Sequence, residues 1–253
     1  MKILITGCCG FIGFNFANFL VKSKKKIHVI GIDNLNDYYS VDLKRKRLKE
    51  LRKSKNFVFF KIDLNQNEKL KKIFQKHKFD HVFHFAAQAG VRYSLINPKS
   101  FIKNNISAFY NILDLSIKYR TKKFFYASSS SVYGDIKKFP LKEKYILNPK
   151  NIYGLSKKIN EEIVETVKLK NNIQFTGLRF FTVYGEWGRP DMFIIKLLYS
   201  ISKNKNFYLN KSGNHYRDFT NIKDVTNICY KLINYKCKKK HIIFNVCAGK
   251  KVK

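Results

Sequence analysis

The chain contains 253 residues, enough for one large domain or for a domain with a smaller second lobe. Hydrophobic residues make up 45% of it, enough for a substantial core, and this composition excludes a disordered or fibrous protein. No run approaches the ~18 consecutive apolar residues of a membrane span, and no signal-peptide pattern precedes the first strand-like run, so we expect a cytoplasmic protein without a membrane partner. The net charge of +34 would attract nucleic acid, but 43 of the 51 basic residues are lysines spread along the whole chain, which favours a solvated lysine surface and small anionic substrates over a nucleic-acid groove.

Short β-branched and aromatic runs alternate with amphipathic stretches over the first 180 residues. The predicted strands, in chain order, are 2–6, 27–32, 57–62, 81–85, 123–128 and 174–179. The predicted helices between them are 14–22, 41–53, 66–77, 100–119 and 153–170. This alternation predicts an α/β fold with a Rossmann-type doubly wound parallel sheet.

The rhythm changes after residue 180, and we predict a smaller, less regular lobe over residues 181–253. Its predicted elements are a loop at 184–190, a helix near 191–203, a short strand at 207–209, a turn at 212–214, a helix near 223–235 and a strand at 242–246.

Three glycines, Gly7, Gly10 and Gly13, follow the first strand and open the first helix. Such a turn lets the backbone approach a pyrophosphate, whose charge the helix N-terminus stabilises. The Gly-x2-Gly-x2-Gly spacing alone would also suit an ordinary turn after a buried strand. Asp33 strengthens the first interpretation, because a carboxylate at the end of the second strand can bind ribose hydroxyls and repels a 2′-phosphate. These residues favour NAD over NADP.

A second group of polar residues follows the fifth predicted strand. Tyr153 and Lys157 are four residues apart, so they share one face of a helix, and the lysine ammonium would lower the pKa of the phenol. Such a pair alone is common on protein surfaces. Serines 128–131 end the strand at the sheet edge where open α/β sheets bind ligands, and they suit a sugar hydroxyl.

Five cysteines show no pairing pattern, and Cys8 and Cys9 are adjacent, a geometry that strains a disulfide. We therefore expect reduced thiols and no metal site. His81 and His84 lie on a buried-looking strand and are interpreted as core residues. Trp187 could stack on a base or simply pack its own loop.

These motifs together resemble the extended short-chain dehydrogenase/reductase family of nucleotide-sugar enzymes, over residues 2–249. Within the family, AAQAGVRYS and GRPDMF are typical of the branch that acts on sugar acids. The segments that carry the resemblance are TGCCGFIG (6–13), GIDNLNDYY (31–39), HFAAQAGVRYSLINP (84–98), YASSSSVYG (126–134), YGLSK (153–157), LRFFTVYGEWGRPDMF (178–193) and RDFTNIKDV (217–225).

The resemblance implies NAD-dependent 4-epimerisation of a UDP-sugar, with UDP-glucuronate as the expected substrate and UDP-galacturonate as the product. Tyr153 would take the proton from the 4-hydroxyl, Lys157 would hold the nicotinamide ribose, and Ser129 would bond the 4-oxygen. The positions matching NAD contacts are Gly7, Gly10, Phe11, Ile12, Gly13, Asp33, Asn34, Asp63, Leu64, Ala86, Ala87, Gln88, Asn105, Tyr153 and Lys157. Among the positions matching substrate contacts, Thr182, Arg189 and Arg217 would hold the nucleotide diphosphate and Arg92 would lie near the glucuronate carboxylate, while Ser129, Ser130 and Ser131 would lie beside the sugar.

The same resemblance implies an NAD-binding Rossmann domain over 1–180 and a partial substrate-binding lobe over 181–253, because the family's last segment is not present. We therefore expect a chain that binds NAD but has weak or no epimerase activity without that segment. Family members commonly dimerise through two long helices, here 100–119 and 153–170, which predicts a homodimer.

Three alternatives stay open or are set aside. A UDP-glucose or UDP-N-acetylglucosamine 4-epimerase differs only by small pocket changes. A catalytically silent NAD-binding or basic nucleic-acid-binding scaffold would use the charge instead of the site. Sugar-nucleotide dehydratases need an acidic pair after the catalytic hydroxyl, where this chain has Ser130 and Ser131.

Overall fold

Seven parallel strands form the central sheet of the computed structural model, which describes residues 1–23, 26–136, 138–209 and 216–252. The strand order is β3-β2-β1-β4-β5-β6-β9, and every pairing is parallel. The predicted Rossmann-type doubly wound sheet is thus confirmed. The sheet strands are β1 (Lys2–Thr6), β2 (His28–Asp33), β3 (Phe57–Lys61), β4 (His81–His84), β5 (Lys123–Ser129), β6 (Gln174–Phe180) and β9 (His241–Val246).

Helices cover both faces of the sheet, as the crossover connections of parallel strands require. The helices of the described residues are α1 (Phe11–Lys22), α2 (Val41–Arg52), α3 (Asn67–His77), the single turns α4 (Tyr93–Ile96) and α5 (Pro98–Phe101), α6 (Ala108–Lys118), α7 (Ile152–Val167), α8 (Phe193–Ser202) and α9 (Ile222–Asn234). None of them is long and apolar enough to cross a membrane.

Two apolar clusters hold the layers together. The first packs α1, α2 and α9 on one face, around side chains such as Phe16 and Leu232. The second packs α3, α6 and α7 on the other face, around Phe74 and Phe109. Because the strands are parallel, their carboxyl ends meet at one edge of the sheet, where the chain leaves β1, β2, β4, β5 and β6.

The structure differs from the sequence-based elements mainly after residue 180. Two three-residue strands, β7 (Thr182–Tyr184) and β8 (Phe219–Asn221), form a separate parallel pair that the sequence analysis did not predict. The predicted strand at 207–209 is wrong, since these residues have no regular structure. The predicted turn at 212–214 lies outside the described residues.

Two further departures concern boundaries. The helix predicted over 100–119 begins as α5, passes through a π-helical turn at Ile102–Ser107 and continues as α6. Strand β9 comes from the predicted lobe 181–253, yet it pairs with β6 at the edge of the main sheet. The division at residue 180 therefore stays a prediction.

Candidate active site

A cavity of about 1280 Å³ opens at the carboxyl edge of the sheet. Its walls come from the turns after β1, β2, β4 and β5, from the start of α7 and from the segments around β7 and β8. This is the edge at which open α/β sheets bind ligands. The cavity is large enough to hold a dinucleotide and a second ligand side by side.

The glycine-rich turn closes the sheet end of the cavity. Gly7 has φ +69°, and a Cβ atom there would lie 2.7 Å from the backbone nitrogen of Ala86. A Cβ atom at Gly13 would overlap the carbonyl oxygen of Gly7. Gly10 and Phe11, at the start of α1, line the cavity, so the helix N-terminus is directed at a ligand there.

Asp33 lies beside this turn at the end of β2. Its carboxylate accepts hydrogen bonds from the backbone N–H of Cys9 at 3.0 Å and of Leu35 at 2.8 Å, which fix its position. Burial raises the pKa of Asp33, and these two hydrogen bonds oppose that change. The side chain lines the cavity at the position where a ribose hydroxyl is expected.

The sulfur atoms of Cys8 and Cys9 and a carboxylate oxygen of Asp33 lie within 4.8 Å of one another. Burial raises the pKa of the Cys8 thiol well above its usual range, which disfavours the thiolate that a metal needs. All five cysteines are free thiols.

Tyr153 and Lys157 lie in the first turns of α7, and both line the cavity. The helix begins there because the side chain of Asn151 caps it, accepting a hydrogen bond from the N–H of Gly154 at 2.8 Å. Ser129, at the end of β5, lies close enough to the phenol of Tyr153 to lower its pKa. The three residues predicted to act in catalysis therefore line one cavity.

The electrostatics of Tyr153 differ from the prediction. Burial raises the pKa of the phenol, while the hydrogen bond of Ser129 and the charge of Arg189 work against that rise. The prediction that Lys157 lowers this pKa is wrong for the protein alone. Burial lowers the pKa of Lys157 itself to about 8.

Lys157 is only 1% exposed, and its ammonium has no hydrogen-bond partner within the described residues. A buried ammonium without a partner is costly, so the site fits a ligand that offers hydroxyl or carbonyl oxygens. Together with the glycine turn and Asp33, this orphaned donor fits NAD, whose ribose and pyrophosphate supply such acceptors. These residues would hold the cofactor along the edge from β2 to α7.

A buried ion pair supports the serine-rich strand end from behind. The guanidinium of Arg179 on β6 makes two parallel bonds to Glu161 on α7, at 2.9 and 2.7 Å. The hydroxyl of Ser128 donates to the same carboxylate at 2.5 Å. A further bond joins Arg179 to the hydroxyl of Tyr133 at 2.8 Å. The network fixes β5, β6 and α7 relative to one another.

Asn105 was predicted to contact NAD, but it does not line the cavity. Its buried amide in the π-helical turn bonds the backbone of Gln88 at 2.7 and 3.0 Å and the hydroxyl of Ser156 at 3.0 Å. It therefore positions Gln88 and α7 behind the wall of the cavity. Arg92 is exposed and does not line the cavity either, which separates it from the other predicted substrate residues.

The remaining predicted residues share one location, because all of them line the same cavity. They are Ile12, Asn34, Asp63, Leu64, Ala86, Ala87, Gln88, Ser130, Ser131, Thr182, Arg189 and Arg217. His84 is in the core, bonded to Thr6 at 3.0 Å, and burial lowers its pKa to about 3. Trp187 packs on Phe14 with ring centroids 5.0 Å apart and does not line the cavity.

Arg189 enters the cavity with a fixed partner. It makes two bonds of 2.9 Å to the carboxylate of Asp191, which also accepts a bond from the Tyr38 hydroxyl at 3.3 Å. The planar guanidinium is thereby held in one orientation near Tyr153. Asp191 and Tyr38 hold Arg189 in place, and they lie in the segments 178–193 and 31–39. Sequence reasoning gave neither residue a role.

Four lysines that the sequence analysis did not select also line the cavity: Lys44, Lys150, Lys250 and Lys251. The chain has 43 lysines along its whole length, so the sequence does not distinguish these four from the others. Only the folded arrangement, which brings the segments after β2, after β5 and after β9 to one edge, identifies them.

Comparison with known proteins places this site in a family. Residues 3–247 match the model of the NAD dependent epimerase/dehydratase family. The chain is 44% identical over 234 residues to protein CapI of Staphylococcus aureus, covering 92% of this chain and 69% of CapI. It is 42% identical over 234 residues to UDP-glucuronate 4-epimerase 4 of Arabidopsis thaliana, covering 90% of this chain and 53% of the plant protein.

The fold also matches a solved structure, the UDP-glucuronic acid 4-epimerase of Bacillus cereus in complex with UDP-glucuronic acid and NAD. The TM-score is 0.91 at 30% sequence identity, and the match covers all of this chain and 79% of the Bacillus chain.

Proposed function

Because the chain belongs to the NAD dependent epimerase/dehydratase family, we propose that it interconverts UDP-glucuronate and UDP-galacturonate by NAD-dependent epimerisation at C4. The observation that carries the proposal is the placement of Tyr153, Lys157 and Ser129 in one cavity with the glycine turn of β1. Tyr153 can exchange a proton with a sugar hydroxyl, and Ser129 can form a hydrogen bond to one. The glycine turn suits a pyrophosphate.

The chemistry of the bound NAD is to accept a hydride from the sugar and to return it. Tyr153 holds and moves the proton of the sugar 4-hydroxyl, because its phenol lines the cavity close to Ser129. Ser129 donates its one hydroxyl hydrogen to the sugar 4-oxygen and so orients it. Lys157 satisfies its ammonium on ribose oxygens, and its positive charge favours loss of the phenol proton once both groups share a ligand.

The sugar acid is favoured by the groups around this end of the cavity. Ser130 and Ser131 offer hydroxyl and amide donors, and Arg189 adds those guanidinium N–H groups that Asp191 does not bond. A carboxylate at C6 gains charge-assisted bonds there that a neutral hydroxymethyl group would not. The absence of acidic residues at 130 and 131 disfavours dehydration, which needs such groups.

The test is incubation of the purified protein with UDP-glucuronate and separation of the products. We expect UDP-galacturonate to accumulate until the two epimers reach equilibrium, without net consumption of NAD. UDP-glucose and UDP-N-acetylglucosamine serve as parallel substrates. Conversion of UDP-glucose or UDP-N-acetylglucosamine without conversion of UDP-glucuronate would contradict the sugar-acid assignment. Salt-sensitive nucleic-acid binding without any turnover would favour the basic scaffold.

We also propose that two copies of the chain associate through α4, α6 and α7. These elements expose large apolar side chains, with Leu95 on α4 77%, Tyr110 on α6 50% and Leu155 on α7 41% exposed. Large exposed apolar side chains on elements that pack together are typical of an interaction site. Light scattering should give about twice the 29.9 kDa mass of one chain, and a single-chain mass would contradict the dimer. The free cysteines are compatible with the cytoplasm as the place of action.

A further inference from the structure

We propose that Lys250 and Lys251 bind the diphosphate of the UDP-sugar, together with Arg217, on a segment that Asp218 holds across the substrate half of the cavity. We call residues 247–252 the 247–252 strap. This inference rests on the proposed function, because it names the residues that bind the nucleotide part of the proposed substrate.

The 247–252 strap has a defined attachment. The carboxylate of Asp218 accepts hydrogen bonds from three consecutive backbone N–H groups, those of Ala248, Gly249 and Lys250, at 2.8, 2.7 and 3.0 Å. Thr220 donates a fourth bond to the same carboxylate at 3.0 Å. Bonds from N–H groups to a carboxylate are charge-assisted, so they hold the strap firmly.

A second attachment lies two residues further along. Arg217 and Val252 exchange both backbone hydrogen bonds, at 2.8 and 2.9 Å, as an isolated antiparallel bridge. The ammonium of Lys251 lies 3.8 Å from the ring centroid of Tyr216. These contacts place Lys251 beside Arg217 on the cavity wall.

The cations of this wall are uncompensated. Within the described ranges, none of Arg217, Lys250 and Lys251 forms an ion pair. The carboxylate of Asp218, which follows Arg217 in the chain, accepts the four hydrogen bonds described above. Arg189, by contrast, is paired with Asp191. The wall therefore has positive charge available for a ligand.

The chemistry of that charge fits a diphosphate. Lysine binds phosphate as a compact point charge, and arginine binds it with its planar fork. The sugar end of the substrate is assigned to Tyr153, and the same continuous cavity extends from there to Arg217 and the 247–252 strap. In a UDP-sugar the diphosphate joins the sugar to the uridine. With the sugar at Tyr153, the diphosphate therefore lies at Arg217, Lys250 and Lys251, and the uridine lies beyond them.

The experiment titrates the NAD-loaded full chain with UDP and with uridine by calorimetry. The strap variant is Lys250→Gln/Lys251→Gln, and the matched control is Lys238→Gln/Lys239→Gln, an adjacent exposed pair outside the cavity with the same change of charge. We expect the Kd of UDP to rise about tenfold or more in the strap variant only, as the loss of bonds to charged groups predicts. Its salt dependence should also become shallower, and uridine binding should not change.

A third variant tests the attachment. Asp218→Asn keeps both lysines but replaces one accepting oxygen with an amide that cannot accept from Gly249 and Lys250. We expect UDP affinity to fall as in the strap variant. Equal UDP affinity in the strap variant and its control would overturn the proposal. Wild-type protein that binds neither UDP nor uridine would instead contradict the proposed function.

Discussion

Replacing Tyr153 with phenylalanine should lower turnover of UDP-glucuronate by about 10²- to 10⁴-fold, the usual contribution of a positioned proton-transfer group. The phenyl ring fills the same space between Ser129 and the cavity, so the fold and the bound NAD should be retained. The measurement is kcat together with NAD content after purification. Tyr184→Phe, on β7 outside this cavity, is the control and should keep wild-type turnover.

The pH dependence gives the same prediction a second readout. Burial raises the pKa of Tyr153, so the fraction of phenolate, and with it turnover, should increase as pH rises from about 6. Burial lowers the pKa of Lys157 to about 8, so the ammonium that favours the phenolate is lost above that pH. The rise should therefore end near pH 8. A profile in which turnover decreases from pH 6 to 8 would contradict Tyr153 as the base.

The second large effect concerns the ion pair behind the serines. Glu161→Gln removes the charge that Arg179 pairs with while both side chains stay almost fully buried, at 5% and 3% exposure. Removing one partner of a buried pair leaves the other charge uncompensated and costs about 3–5 kcal/mol of the free energy of unfolding. We expect that loss in urea denaturation, with turnover reduced because Ser128 and Arg179 then face an uncharged amide with one accepting oxygen instead of a carboxylate with two.

The neighbouring residue on α7 provides the control. Glu162 pairs with Lys158 at 3.6 Å on the exposed side of the same helix, with the carboxylate 63% exposed. Glu162→Gln should therefore change the free energy of unfolding by about 0.5 kcal/mol or less. The interpretation of Glu161 fails if the two variants are equally stable.

The parts of the fold that sequence reasoning predicted are those with strong local signals. Strand β1 and the turn at Gly7 follow from a short apolar run and a fixed glycine spacing, and Tyr153 and Lys157 follow from helix periodicity. Each of these patterns spans only a few residues, so it can be recognised in the sequence without knowledge of the tertiary fold.

The parts that it missed depend on contacts distant along the chain. Strands β7 and β8 have three residues each and exist because they pair with one another across 34 intervening residues. The pKa of Tyr153 depends on how far the fold removes it from water, and the place of Arg92 depends on the path of the chain after β4. The role of Lys250 is visible only beside Asp218.

The position of β9 at the edge of the main sheet has a consequence for the order of assembly. Asn245 on β9 accepts from Tyr133 at 2.7 Å and donates to the carbonyl oxygen of Leu141 at 2.9 Å, so it anchors the loop that follows the serines. Contacts between such remote parts of a chain form slowly, after local ones. During synthesis the glycine turn and the first strands, which bind the dinucleotide, are thus able to form first. The part of the cavity that binds the UDP-sugar is completed only when β9 has left the ribosome and paired with β6. A nascent chain would acquire its coenzyme before it becomes competent for the second ligand.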